Sequence, residues 1–392
     1  MIRMPWTSAS CPHFVLEINQ KCNISCKGCY KKMGGSTKTL DQILGELDIA
    51  MSKRRIQTVS VAGGEPTLHP RLCEIVSNIH GRSLKVVLAT NGLLLNVGLL
   101  EDLKKAGLDM VMLHIDEGQN RPDLPPDPTL EQINSLRSAL AEKVAAGDID
   151  AGLSVTVYHK YFDRLPQIVD FILNSRHINF LFATNYVDTA NLLKSVHFMQ
   201  QNQDRFPDGS DSSSSQSSRT TNQQVYEILK DSFAIEPSAY LPPARATAGA
   251  EGHMAWMTYF MPVIHLESKT ERFSIRSNII NLFLRSFSKL TTGRFTFYSG
   301  NKPFTTAVMV LCSTLTSRRP IEGLKFLAKL RHSGAHLKSK YLIFENGPMV
   351  TENGDISCCV LCPNATVSGN QLVPVCLADY PDFNSMDGLS SG

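Results

Sequence analysis

Apolar positions set the rhythm of the first half of the chain. Between residues 13 and 187, short runs rich in β-branched and large apolar residues alternate with longer stretches whose apolar residues fall three and four apart. The short runs predict strands at residues 13–19, 58–62, 85–90, 110–115, 152–158 and 180–185. The longer ones predict helices at 40–53, 70–79, 96–105, 129–146 and 165–174. Strands separated by helices pair in parallel through right-handed crossovers, so the expected fold class is α/β, a parallel sheet wrapped by helices. The C-terminal ends of such strands share one face, where these folds place their chemistry.

The rhythm stops after Asp188. Between residues 207 and 221 stand Ser212, Ser213, Ser214, Ser215, Gln216, Ser217 and Ser218, a polar run with too little apolar area to pack and the character of a flexible linker. The chain is thus divided into a barrel-like unit at 12–206, a linker at 207–221 and a C-terminal region at 222–392. For that last region the pattern predicts a smaller α+β extension, with a helix at 223–232, a Pro-rich turn at 241–243 and a buried strand at 305–315.

Composition adds a globular character: 42% of the 392 residues are hydrophobic and 19% charged, which excludes a mainly disordered or coiled-coil chain. The net charge of +3 is small, but 14 Lys and Arg fall between Ser268 and Lys340 against only Glu271 and Glu322. Two stretches within that segment are amphipathic. In 276–291, Ile279, Ile280, Phe283, Leu284 and Phe287 share a helical face flanked by Arg276, Arg285 and Lys289; in 321–331, Leu324, Leu327 and Leu330 do so among Lys325, Lys329 and Arg331. One reading is ordinary core-packed helices with a solvated basic face; the other is a surface for an anionic phospholipid or a phosphorylated substrate. No nucleic-acid module accompanies the charge, so nucleic acid is not an expected partner. No signal-peptide pattern opens the sequence and no apolar run reaches the ~18 to 20 residues of a membrane span, so the expected location is cytoplasmic, with peripheral membrane contact as an option.

The chemistry is carried by cysteine. Cys22, Cys26 and Cys29 stand in KCNISCKGCYKK directly after the first predicted strand. Three thiols within eight residues suit a soft metal centre better than disulfides. An iron–sulfur cluster usually takes four thiolates, so three leave one iron open to a substrate or cofactor; a structural zinc site with a remote ligand is the alternative. Gly63, Gly64, Glu65 and Pro66 end the second strand, Thr90-Asn91-Gly92 the third, and His114-Ile115-Asp116-Glu117 the fourth.

At these residues the sequence resembles the radical S-adenosylmethionine (SAM) enzymes, whose signature is three cysteines at this spacing after the first barrel strand. The resemblance covers about residues 12 to 187. It implies a partial (β/α)6 barrel, a [4Fe–4S] cluster on Cys22, Cys26 and Cys29, and S-adenosylmethionine held partly by Gly63, Gly64, Glu65 and Pro66, with Asn91 and Asp116 near its ribose and carboxylate. It also implies reductive cleavage of that cofactor to a 5′-deoxyadenosyl radical, hydrogen abstraction from a substrate, and a reductase such as flavodoxin or ferredoxin. The chain departs from many members in carrying Gly28, not an aromatic residue, before the third cysteine, with Tyr30 after it. The pattern CNxxCxxCY is similar to a subset with extra clusters.

A second group, Cys358, Cys359, Cys362 and Cys376, has metal-ligand spacing, with Cys358 or the remote Cys312 as fourth ligand. It loosely resembles the SPASM and twitch extensions that house auxiliary iron–sulfur clusters, although the full seven-cysteine pattern is absent. A second cluster, structural zinc and unligated thiols all remain open. Cys11 and Cys73 are most simply core or surface thiols. Three functions follow: radical modification of a lipid or other apolar-anionic small molecule, a peptide- or protein-modifying maturase, and a non-catalytic iron–sulfur or zinc protein.

Overall fold

The computed structural model describes residues 2–31, 34–189, 191–192, 220–243, 257–265, 272–274, 289–298, 300, 303–315, 320–333, 337–350, 356–359 and 361–380. Most of the Ser-rich stretch, and the first basic amphipathic stretch apart from residues 289–291, lie outside them. The first part of the chain runs β1 (Ile2–Arg3), β2 (His13–Asn19), β3 (Ser25–Cys26), α1 (Leu40–Lys53), β4 (Thr58–Gly63), α2 (Leu72–Gly81), β5 (Lys85–Thr90) and α3 (Val97–Lys105). It continues with β6 (Met110–His114), β7 (Gln119–Asn120), α4 (Leu130–Ala146), β8 (Asp150–Val157), α5 (Leu165–Asn174) and β9 (Ile178–Asn185). β2, β4, β5, β6, β8 and β9 are parallel neighbours in that order. The six expected strands and five expected helices are all present, in an α/β fold with a large parallel sheet.

Local chemistry explains the boundaries. Thr39 with Gln42, and Thr129 with Gln132, form capping boxes that satisfy the first free amides of α1 and α4. Every residue of β2 is buried, as a parallel strand covered on both faces requires. Along β5, Val86 and Leu88 join the core beneath the helices, whereas Val87 packs with Met110, Phe180, Trp6 and Tyr298 on the opposite face.

The later elements are α6 (Asn222–Phe233), β10 (Ala239–Leu241), β11 (Met257–Phe260), β12 (Pro262–His265), β13 (Arg272–Ser274), α7 (Pro303–Leu315) and α8 (Pro320–Ser333). After them come β14 (Leu337–Ser339), β15 (Tyr341–Glu345), β16 (Met349–Val350), β17 (Ile356–Ser357), β18 (Ala365–Ser368) and β19 (Gln371–Pro374). β15 joins β9 in parallel, with Tyr341 opposite Phe180, and β11, β10 and β1 extend the sheet to ten strands.

One expectation is corrected here. Residues 305–315 are not a strand but lie in α7, because a continuous apolar run has no period that separates a buried strand from a buried helix. In α8, Phe326 is buried and Leu327 packs partly buried in the same cluster, while Leu324 is 52% exposed. Gly323 sets this orientation: a Cβ there would lie 1.9 Å from Thr314 Oγ1, so this glycine lets α8 approach α7.

Candidate active site

The cysteine loop is seated by backbone before any ligand is considered. The β2–β4 ladder shifts between Glu17 and Asn19, so Asn19 stands opposite Gly63. Gly63 has φ 127°, and a Cβ there would lie 2.4 Å from the Asn19 carbonyl oxygen. The next residue is equally constrained, since a Cβ on Gly64 would lie 2.1 Å from the Lys21 carbonyl oxygen. Gly64 N donates to Asn19 O (2.9 Å) and Glu65 N to Lys21 O (2.7 Å), fastening the end of β4 to the residue before Cys22. The two glycines therefore serve first to let two chain segments touch.

From the other side the loop is braced by β7. Ser25 and Cys26 pair antiparallel with Asn120 and Gln119, and Lys27 N donates to Gly118 O at 2.9 Å. Lys31, two residues beyond Cys29, is buried between Glu17 (3.0 Å) and Asp379 (2.8 Å), which ties the loop to both β2 and the C-terminal segment. Burial works against the Lys31 charge, but the two carboxylates outweigh it and raise its pKa.

Glu65, Asn91 and Asp116 come together as a strand-end network. The buried Glu65 carboxylate accepts from Thr67 N (3.0 Å), Thr90 Oγ1 (2.6 Å) and Asn91 N (2.8 Å), so it locks β4 to β5. Asn91 closes an Asx turn onto Leu93 N (3.0 Å) while its Nδ2 donates to Asn23 Oδ1 (2.7 Å), inside the cysteine loop. Asp116 Oδ2 accepts from Thr156 N (2.8 Å) and lies 3.0 Å from His114 Nε2. Burial opposes the charge on His114, yet Asp116 raises its pKa overall.

Several contributors carried no sequence signal. Arg137, wholly buried on α4, donates through Nε and Nη2 to the Ile115 carbonyl (2.9 and 2.6 Å), and burial lowers its pKa to about 10. Arg121 Nη1 donates to Asn91 O (2.9 Å), bracing that turn. Tyr158 follows β8 and packs its ring 5.0 Å from that of Tyr186, against Gly28. This pair sets aromatic surface beside the loop position where many members carry an aromatic residue of their own; its only signal was Tyr158 at a strand end.

The chemistry of the donors fits a cluster with a bound cofactor. Burial, then Asp116, Cys29 and Cys22, push the Cys26 thiol up to about 12, and burial raises Cys29 as well. Cys26 and Cys29, which resist ionising side by side, suit a cationic centre beside them, where ligation would displace their protons. Among the described residues no three His, Cys, Asp or Glu side chains gather as ligands of one ion would; a cubane instead gives each thiolate a different iron. Two buried acceptors beside the loop, Asn19 Oδ1 and Asp116 Oδ1, lack a hydrogen-bond partner. They suit a ligand bearing N–H and O–H groups, as the amine and ribose of S-adenosylmethionine do.

The later cysteines form a separate group, with Cys358 and Cys359 buried and Cys362 and Cys376 half-buried. Cys362 N donates to Cys359 O (3.1 Å) in a turn with φ 64° at Leu361 and 26° at Cys362. The Cys376 thiol is hydrogen-bonded to that of Cys358, which with burial raises its pKa well above the ordinary value. Cys312 stands apart on α7 and Cys73 on α2.

Residues 16–147 match the Radical SAM superfamily model. A tungsten-containing aldehyde ferredoxin oxidoreductase cofactor-modifying protein of Pyrococcus furiosus is 29% identical over 172 residues, 41% of this chain and 48% of that protein. A probable GTP 3′,8-cyclase of Methanocaldococcus jannaschii is 34% identical over 107 residues, 26% and 35% of the two chains. The PqqA peptide cyclase of Gluconobacter oxydans is 29% identical over 166 residues, 39% and 43%. The chain therefore spans about half, or less, of the length of these relatives. Among solved structures, Streptococcus suis SuiB bound to its precursor peptide SuiA matches with a TM-score of 0.37 and 15% identity over 50% of this chain and 46% of that one. A likeness of that size carries no argument. The sequence match is more specific: it runs from β2 through α4, takes in the whole cysteine loop, and makes residues 16–147 similar to the radical SAM superfamily.

Proposed function

We propose that the chain is a SAM-cleaving enzyme acting on a small-molecule or peptide substrate at the strand-end face of the barrel, with Cys22, Cys26 and Cys29 holding the [4Fe–4S] cluster. When bound, the cluster and S-adenosylmethionine, given one electron by a reductase such as flavodoxin or ferredoxin, supply cleavage of the sulfonium S–C5′ bond to methionine and a 5′-deoxyadenosyl radical that takes a hydrogen atom from the substrate. The protein's own work is placement. Gly63 and Gly64 seat the loop, Glu65 fixes two strand ends, and Asn19 and Asp116 offer acceptors to the cofactor. The observation that carries the reading is the three-thiol loop on the strand-end face beside two unpartnered buried acceptors. Relatives named for a peptide and for GTP support a substrate of either class. Anaerobically reconstituted protein should yield 5′-deoxyadenosine on reduction, and Cys26→Ala should not. Cleavage by Cys26→Ala at the parent rate would sink the assignment, and no cleavage by the parent would leave the non-catalytic alternative.

A second reading concerns where the enzyme works. Phe304, Leu315 and Ile321 are 82%, 71% and 65% exposed on the α7–α8 pair, beside the exposed Lys325 and Lys329. Apolar side chains among basic ones favour an anionic lipid surface, each basic residue adding about 1 kcal/mol. No helix among the described residues is long and apolar enough to cross a membrane. Sedimentation with anionic but not zwitterionic liposomes, weakened by salt, is expected; indifference to anionic liposomes at low salt removes the reading.

A further inference from the structure

We propose that Cys11 is the fourth ligand of a second iron–sulfur centre whose other three are Cys359, Cys362 and Cys376. Nearly 350 residues separate Cys11 from Cys359, yet both belong to one buried core cluster, and Cys11 has no exposed surface. Arg54 makes the junction. Its guanidinium donates to Ser8 O (3.2 Å) and His13 O (3.2 Å) on the segment containing Cys11, and to Leu361 O (2.7 Å) and Cys362 O (3.1 Å) on the turn containing Cys362. His13 Nδ1 adds a second tie at 2.9 Å from Pro363 O. The N-terminal segment and the CxxC turn are therefore held against each other by contacts made by other residues.

The electrostatics agree with that placement. Cys359 lies within electrostatic reach of Glu345, Cys362, Cys11 and Cys376, and Cys362 within reach of Cys376, Glu345, Arg54 and Cys11. Arg54 places positive charge near Cys11, and the His13 backbone amide donates a hydrogen bond to its sulfur, a contact of the kind that orients metal ligands. Cys358 is the poorer fourth ligand. It directly precedes Cys359, where side chains of an extended chain alternate in direction.

Four protein thiolates leave no iron open, unlike the three of the Cys22 loop. The second centre can therefore hold the chain ends together or pass electrons, but it offers no position for a substrate. The inference is independent of SAM cleavage and is tested apart from it. Full-length protein reconstituted with iron and sulfide should bind about eight iron atoms, two clusters' worth, and the Cys22→Ala/Cys26→Ala/Cys29→Ala protein about four. Adding Cys11→Ala or Cys359→Ala to that triple variant should abolish the remaining iron and its absorbance, whereas Cys358→Ala and Cys73→Ala should not. In the parent background, Cys11→Ala should keep about four iron atoms, which shows that it still folds; should its circular dichroism collapse, Cys11→Ser is judged by the same iron count. Retention of the second cluster without Cys11, its loss with Cys358→Ala, or zinc in its place would each overturn the proposal.

Discussion

The two ends of the ten-stranded sheet are assembled on different terms. From β2 to β9 the strands that neighbour each other in space also follow each other in the chain, apart from the short β3 and β7 of the loop ribbon, and helices join them. Beyond β9 the order β15, β11, β10, β1 draws on the far end, the middle and the start of the chain. The first end is secured by repetition of one unit, so each strand is supported by near neighbours in sequence. The second is secured by long-range contacts whose entropic cost is met by a few buried polar residues, and it should fail wherever one of these is removed.

Arg54 should show the largest such failure. Its guanidinium is buried and donates to four backbone carbonyls, two on each side of the junction. Arg54→Ala would strand those acceptors, at about 3–5 kcal/mol in urea unfolding of the apo protein. Arg54→Lys, which keeps the charge but not the fork, should fall between. A loss under about 1 kcal/mol would mean that apolar packing holds the second end without help.

The repetitive end has its own single point of failure, at Gly64. Its missing Cβ makes room for the Lys21 carbonyl oxygen, next to Cys22. Gly64→Val should displace the loop at about 2–3 kcal/mol, lowering iron uptake as well as cofactor binding. Normal iron with weakened cofactor binding would show that this glycine yields to the ligand and not to the loop.

This contrast also separates what was legible in the sequence from what was not. The six barrel strands were readable because each short apolar run is flanked by a helix of clear period, and the cysteine loop because its spacing is local. β15 was not, since Tyr341–Glu345 is a five-residue run whose partner, β9, lies more than 150 residues earlier. The 305–315 run, an apolar stretch without period, was read as a strand and is a helix. Within the site, Gly63 and Gly64 were marked by their place after the second strand, whereas Arg137, Tyr158 and Asp379 act through contacts that no local spacing records.

A pH measurement sharpens the comparison at the seam itself. Lys340 is wholly buried just before β15 and donates to the carbonyls of Ser175 and Ile178, at the end of α5 and the start of β9. Burial, with Lys338, lowers its pKa from 10.5 to about 7. Above about pH 7 the folded protein carries it neutral while the unfolded chain still binds the proton, so stability rises with pH towards 10.5 and is lost as pH falls through 7. The gain should be about 1–2 kcal/mol between pH 7 and 8.5, and Lys340→Met should flatten it. An unchanged slope in that variant would place the effect elsewhere.

The smallest effect belongs to the contact between β8 and the cysteine loop. A Cβ on Gly28 would lie 2.6 Å from Tyr158 Oη, but 3.2 Å from Tyr158 Cζ and from Tyr186 Cδ2. Gly28→Ala should therefore crowd the hydroxyl above all, shifting a loop that carries Cys26 and Cys29 on either side. Tyr158→Phe alone removes a hydrogen bond to the Gly28 backbone and should cost about 0.5–1 kcal/mol. Combined, the two changes should cost less than their sum, because the atom in conflict is gone, with a coupling of about 0.5 kcal/mol or more. Strict additivity in unfolding and in iron uptake would mean that the loop moves away freely, and that the aromatic pair does not set its position.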